Sequence, residues 1–188
     1  MVIITPRNLA RSAFLCSIIV IVSQVFRFGS AIIPFSLLPG VYVLGTLVFS
    51  PLENGLGWAI YLLLGLIGIP VFATPPYGGF GYIFKPTFGF LLGYPLLSTL
   101  VSWIVQRKKE KTRCSLLFLS IMAIVLLYGP GLIYLWIVLR FFIQAPTSFI
   151  IILKTGFFPF IGGDILKAFV AFFIAWKARP VWGGSEKN

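Results

Sequence analysis

The sequence predicts an all-α integral membrane protein, folded as a compact bundle of six transmembrane helices. Its 188 residues are 59% hydrophobic and 10% charged, with a mean hydropathy of +1.04. That composition leaves too little polar surface to cover a water-soluble globule. Apolar runs long enough to cross about 30 Å of hydrocarbon recur along the chain. We therefore expect residues 1–188 to form a single transmembrane domain.

Six spans are predicted, with approximate bounds at residues 9–26, 34–49, 56–69, 87–105, 115–140 and 163–176. Tyr-Gly-Pro-Gly at residues 128–131 could divide the fifth span, because proline lacks a backbone donor and bends helices. Membrane helices tolerate such kinks where neighbours satisfy the freed groups. We interpret residues 115–140 as one kinked helix and residues 144–160 as an outer loop with short helical pieces.

The distribution of positive charge favours six spans. Basic residues cluster at Arg7 with Arg11, at residues 107–113, and at Lys177 with Arg179. With six spans and a cytoplasmic N-terminus, every cluster lies on the cytoplasmic face, in agreement with the positive-inside rule. A seventh span would move the last cluster outside. We predict that both termini are cytoplasmic, and that the net charge of +11 reflects topology and anionic lipid rather than nucleic-acid binding.

The chain carries few of the residues that metal or acid–base chemistry requires. It has no histidine and two cysteines, Cys16 in an apolar run and Cys114 beside a basic loop. Neither a disulfide framework nor a metal site is predicted, and we expect no cofactor and no enzymatic activity. Arg7 and Arg11 precede the first apolar run as in a signal peptide. Because no small-residue cleavage pattern follows, we interpret this run as a retained helix.

Asp164 is the strongest functional signal, since it is the only aspartate of the chain and opens the last apolar span. Lys167 follows one helical turn later and would share its face. A charged residue at bilayer depth costs roughly 2.5–3.5 kcal/mol, so such residues usually face a cavity and have a function. The alternative is a helix N-cap near the membrane surface, with Lys167 as its partner. The start of this helix would also direct backbone N–H groups at a pocket.

The predicted topology brings further residues to the outer face. Charged side chains expected near this depth are Lys85, Arg140, Lys154, Asp164 and Lys167. Aromatic side chains expected around them are Phe35, Phe72, Tyr77, Phe80, Tyr82, Phe84, Phe157 and Phe160. Glycines at residues 78–81 and 162–163 suit a chain that folds back over a pocket. Aromatic residues also gather at membrane interfaces without binding anything, which is the competing interpretation of each of them.

Three segments carry a specific resemblance. Residues 61–73 (YLLLGLIGIPVFA), 86–94 (PTFGFLLGY) and 159–167 (PFIGGDILK) occur in this order. They resemble the segments YLLLGxxGLPVFA, PTxGYLxGF and PFxPGDxxK of the BioY family, the biotin-specific substrate-capture (S) components of energy-coupling-factor (ECF) transporters. Residues 133–135 are similar to a weaker IYLLG segment. The likeness covers nearly the whole chain.

Four positions depart from the family pattern. Where the family often shows VPxTxQ, this chain has Ser36 in place of Thr and Leu38 in place of Gln. Gly162 replaces a proline, and Lys85 stands where glycine is common. The change at residue 38 removes one potential polar contact with the substrate, and Lys85 adds a cation at the outer mouth.

The resemblance implies high-affinity capture and uptake of biotin in the bacterial cytoplasmic membrane. It also implies two kinds of partner, a transmembrane coupling subunit and two ATPases. The chain itself has no Gly-x4-Gly-Lys-Ser/Thr phosphate loop. Asp164 and Lys167 are implied to bind the ureido ring of biotin. We further predict that Phe72, Tyr82 and Phe160 line the ring pocket, and that Lys85 attracts the carboxylate.

Other functions stay open at this point. The chain could be an S component for another vitamin, a membrane enzyme acting on lipid head groups, or a scaffold. Glu53 is expected in an inner loop on the side opposite Asp164, so the two cannot form a catalytic carboxylate pair. Ala13 and Ser17 are small residues four positions apart, which suits either a docking face for the coupling subunit or simple packing within the protein.

Overall fold

The computed structural model describes residues 4–29, 36–108, 112–145 and 148–182. Its α-helices are α1 (Pro6–Gly29), α2 (Leu38–Val48), α3 (Pro51–Leu66), α4 (Phe88–Arg107), α5 (Arg113–Ile137), α6 (Phe149–Gly156) and α7 (Phe158–Trp182). A 3₁₀ helix at Phe80–Phe84 precedes α4, and a π-helical turn at Val138–Phe142 extends α5. No strand occurs within these ranges, so the all-α prediction is confirmed.

In the described part of the chain, four segments are long and apolar enough to cross a membrane: Pro6–Val25, Phe88–Arg107, Arg113–Phe142 and Phe158–Ala178. The shorter apolar helix α2 has 11 residues. A multi-pass membrane protein follows from these helices. The crossing of the bilayer by six spans, and the cytoplasmic position of the termini, stay predictions.

Two helices test the predicted boundaries. The segment 128–131 lies inside α5, which continues through Pro130 as one helix. In contrast, α7 begins at Phe158, before the predicted residue 163. Pro159 explains the earlier start, because proline suits the first helical turn, where its missing N–H has no intrahelical partner.

The early start of α7 corrects two expectations about Asp164. This residue lies six positions after Phe158, in the helix interior, so it is not the N-cap. The helix-terminal N–H groups belong to the first turn, near residues 158–161. These N–H groups are therefore not beside Asp164. The prediction that the start of the last helix directs backbone N–H groups at the Asp164 site is wrong.

Glycines set the closest helix approaches. A Cβ on Gly89 of α4 would lie 2.8 Å from the carbonyl oxygen of Pro130 and would clash with Tyr134, both on α5. At the end of α3, the ring of Phe72 packs directly on Gly65, and Phe72 is fully buried. The loop after α3 is thereby held in the core, where it covers one end of the bundle.

The opposite end of the bundle is closed by an ion pair between α1 and α3. Nη1 of Arg11 lies 3.1 Å from Oε1 of Glu53, whose side chain is 3% exposed. Glu53 also caps its own helix, because its carboxylate accepts from the N–H of Ser50, and Ser50 Oγ accepts from the N–H of Glu53. This reciprocal arrangement is a capping box.

Candidate functional site

Asp164 and Lys167 form a buried ion pair on α7. Nζ of Lys167 lies 2.6 Å from Oδ1 of Asp164, and the two side chains are 13% and 10% exposed. The predicted sharing of one helical face is confirmed. A paired charge is far cheaper to enclose than a lone one. The pair therefore places an anion and its partner inside the bundle without a net charge.

Tyr128 of α5 completes this group. Its hydroxyl donates a 2.7 Å hydrogen bond to Oδ2 of Asp164, so each carboxylate oxygen has one donor. In the sequence, Tyr128 stood out only as part of a potential helix break, and this role was not predicted. The available signal was a tyrosine in a strongly apolar span, since a buried tyrosine hydroxyl usually has a hydrogen-bond partner.

Aromatic rings enclose the hydroxyl end of the group. The ring of Tyr128 meets Phe157 at a centroid distance of 5.0 Å and Phe90 at 5.6 Å, both edge to face. Phe90 in turn lies against the backbone of Gly131, where an added Cβ would fall 2.4 Å from the ring. The helix α4 thus approaches α5 closely and holds Tyr128 in place.

A second aromatic cluster lies in the core of the bundle. The indole of Trp58 stacks on Tyr94 at 4.1 Å, and Tyr42 contacts Tyr94 at 5.4 Å. All three side chains are buried in the same hydrophobic core. Within the described residues, the Tyr42 hydroxyl and the Trp58 indole N–H have no hydrogen-bond partner. None of these three was selected from the sequence.

The predicted lining residues occupy different positions. Phe72 and Tyr82 are both buried, with ring centroids 4.3 Å apart, and Phe160 is half-buried against the core. The Tyr82 hydroxyl shares a 2.7 Å hydrogen bond with Thr74. Burial raises the pKa of Tyr82, and this hydrogen bond acts in the opposite direction. In the described part of the chain, the hydrogen bonds of the Asp164 carboxylate are to Tyr128 and Lys167, and the rings of Phe72 and Tyr82 pack on each other.

The remaining outer residues lie nearer the surface. Lys85 is half-buried, and its side chain makes no ion pair with the described part of the chain, whereas Arg140 and Lys154 are exposed. Phe80 and Phe84 are 71% and 54% exposed, as expected of aromatic residues at a membrane interface. Phe35, which was predicted near the site, lies outside the described residues.

A groove of about 530 Å³ runs between α2 and α7 and has Lys167 in its wall. Gly40 and Val41 of α2 line one side, and Gly163 and Leu166 of α7 line the other. Gly40 faces Lys167 across this groove, where an added Cβ would lie at a contact distance of 3.4 Å from the Cβ of Lys167. The ion pair is therefore close to an apolar opening on the side of the bundle.

Membrane-crossing helices with enclosed ionisable groups define the class: a multi-pass membrane protein whose interior holds a polar site. The BioY family profile matches residues 1–184, and the chain belongs to this family. Its fold is also that of a solved S-component for biotin from an ECF-type ABC transporter. The TM-score is 0.74 over 95% of each chain, at 20% sequence identity.

Named relatives agree with this assignment. The Biotin transporter BioY2 of Lactococcus lactis subsp. cremoris is 36% identical over 137 residues, which is 73% of this chain and 71% of the relative. The Biotin transporter BioY of Thermotoga maritima is 30% identical over 149 residues, 79% of this chain and 82% of the relative. A probable biotin transporter BioY of Pyrococcus horikoshii is 33% identical over 147 residues, or 78% and 81% of the two chains.

Proposed function

We propose that this chain captures biotin and carries it into the cell as the substrate-specific S component of an ECF-type transporter. Membership in the BioY family and the names of its relatives support the ligand and the process. The likeness in fold to an S-component supports the architecture. We further propose a single domain over residues 1–188 in the bacterial cytoplasmic membrane, with six spans and both termini in the cytoplasm.

The observation that carries this proposal is the buried group of Asp164, Lys167 and Tyr128. Biotin presents a cyclic urea with two N–H donors and one carbonyl acceptor. A carboxylate offers acceptor positions for an N–H, and an ammonium offers donors for a carbonyl. Hydrogen bonds with a charged partner are shorter and stronger than neutral ones. The group therefore has both chemical halves that a neutral cyclic urea requires.

The other site residues keep the roles assigned from the sequence. Phe72, Tyr82 and Phe160 supply apolar surface for the thioether ring, and Lys85 attracts the valerate carboxylate at the outer mouth. The half-buried positions of Phe160 and of Lys85, in the loop before α4, leave part of each side chain accessible, which supports their roles. No catalytic step is part of the proposal, since the relatives are named as transporters.

Uptake against a gradient requires partners, because the sequence has no phosphate-binding loop. We propose a transmembrane coupling subunit and two ATPases, with α1 contributing a docking face. Ala13 and Ser17 are both exposed on α1, and the Ser17 hydroxyl bonds back to the Ala13 carbonyl at 3.0 Å. Small exposed residues at this spacing allow another helix to approach closely. Intact copurification of the coupling subunit with an Ala13→Trp variant would reject this face.

Direct binding tests the ligand. The detergent-solubilised protein is incubated with labelled biotin, thiamine and riboflavin in turn, and bound label is measured by equilibrium dialysis. We expect saturable binding of biotin alone, and biotin as the copurifying ligand in mass spectrometry. Preference for another vitamin would retain an S component but replace its ligand, and binding of none would reject substrate capture.

A further inference from the structure

We propose that Tyr128 is a positioning residue of this site, which fixes the Asp164 carboxylate so that its free acceptor positions face the ligand. The inference rests on the proposed function and extends it to a residue outside the motif of α7. Tyr128 is 36 positions away from Asp164 in sequence and belongs to a different helix. Its role is visible only in the folded bundle.

The geometry leaves room for a ligand on the same carboxylate. Tyr128 donates to Oδ2 at 2.7 Å, and Lys167 donates to Oδ1 at 2.6 Å. An ionised carboxylate has about four acceptor positions on its two oxygens. One donor on each oxygen therefore fixes the plane of the group and still leaves a position on each oxygen for an N–H of the ligand.

The packing of Tyr128 indicates that its hydroxyl stays where it is when a ligand arrives. The residue is 3% exposed, and its ring is held between the edges of Phe90 and Phe157. Phe90 is itself seated on Gly131. Moving Tyr128 aside would open the contact between α4 and α5. The Tyr128 hydroxyl therefore acts as a fixed donor that the ligand does not displace.

A fixed donor and a competitor for the ligand predict opposite changes in ligand affinity when the Tyr128 hydroxyl is removed. A hydroxyl that the ligand must displace would compete with the ligand for Oδ2, and its removal would tighten binding. A positioning residue holds the carboxylate in the binding orientation before the ligand arrives, which reduces the entropy lost on binding. Its removal leaves Lys167 as the remaining donor to Asp164, so the carboxylate is less restrained and binding weakens.

The experiment measures biotin affinity by isothermal titration calorimetry for the full chain in detergent, with Tyr128→Phe, Asp164→Asn and the double variant. We expect Tyr128→Phe to weaken binding about tenfold, the usual size of a hydrogen bond to a charged group. The same change should have less than a twofold effect when residue 164 is already asparagine. Tyr134→Phe is the matched control, because it removes another tyrosine hydroxyl bond on α5, to the carbonyl of Ile83.

Each outcome decides the question. Unchanged or tighter binding by Tyr128→Phe would overturn the positioning role, as would an equal loss with Asp164 or Asn at residue 164. A similar loss in Tyr134→Phe would assign the effect to packing, and melting temperatures of the ligand-free variants check this independently. Failure of the unmodified chain to bind biotin would reject the proposed function and this inference together.

Discussion

Arg11–Glu53 and Asp164–Lys167 are the two ion pairs within the described residues, and they are built differently. The first joins α1 to α3 across 42 positions of sequence, and its glutamate also caps α3. The second joins residues three positions apart on α7. The first pair therefore links two parts of the fold, whereas the second links a helix to itself.

The different placement of the two ion pairs indicates a structural role for the first and a role in binding for the second. Enclosing charged groups is expensive, and a buried pair is by itself weak evidence of stability. A pair between helices is explained by the contact it makes. The ion pair on α7 lies within one helix, and its carboxylate is linked to α5 by the Tyr128 hydrogen bond rather than by a second charge. A use beyond joining helices is therefore needed to offset the cost of enclosing two charges. Binding a polar ligand is the use that the family and the chemistry of the pair support.

The largest expected effect concerns the pair on α7. Asp164→Asn should weaken biotin binding at least tenfold, about 1.4 kcal/mol, because the charged acceptor is lost. Calorimetry measures the dissociation constant, with Glu53→Gln as the control that neutralises a carboxylate at the other end of the bundle. Binding by Asp164→Asn at the unmodified affinity would remove this residue from the site.

The close approach of α4 to α5 gives the next effect. Gly89→Ala inserts a methyl group against Tyr134 and the carbonyl of Pro130. Overpacking of this kind costs about 1–3 kcal/mol, so the melting temperature in detergent should fall. Gly129→Ala on the facing helix is the control, since an added Cβ there meets nothing within 4 Å. Equal melting temperatures of the two variants would show that the close approach of α4 to α5 does not limit the side chain at residue 89.

A smaller effect is expected at the pair between helices. Glu53→Gln should destabilise the protein by about 1–2 kcal/mol, because Arg11 loses a charged partner but remains one-third exposed. Biotin affinity should not change. A double-mutant cycle with Arg11→Gln should show coupling in stability, whereas a cycle of Asp164 and Lys167 should show coupling in binding. Coupling of Arg11 with Glu53 in binding, or of Asp164 with Lys167 in stability alone, would contradict these separate roles of the two pairs.

The smallest effect concerns Lys85. Replacing this half-buried lysine by glutamine should weaken binding of biotin about twofold, the usual range of a solvated ion pair. The loss should diminish in high salt, and an uncharged ester of biotin should bind both proteins equally. An equal loss for the ester would show that Lys85 does not act on the carboxylate.

Local patterns in the sequence predicted part of this molecule. Hydrophobic runs located the helices, and spacing alone paired Asp164 with Lys167, because a helix brings residues three apart together. The start of α7 was misplaced because Pro159 was taken for a loop residue rather than a first-turn residue. Tyr128 and the Trp58–Tyr94 stack were missed for a different reason. Their partners lie on other helices, and the hydrophobic periodicity of one segment does not indicate which other helix it packs against.

The local character of the Asp164–Lys167 pair also affects how the protein is made. A single charge at bilayer depth costs roughly 2.5–3.5 kcal/mol on insertion scales, and two independent charges would raise that barrier further. Because acceptor and donor lie one turn apart on α7, they can neutralise each other while this helix enters the lipid. Helix α7 can thus enter the lipid with its polar half already assembled, before α4 and α5 pack around it.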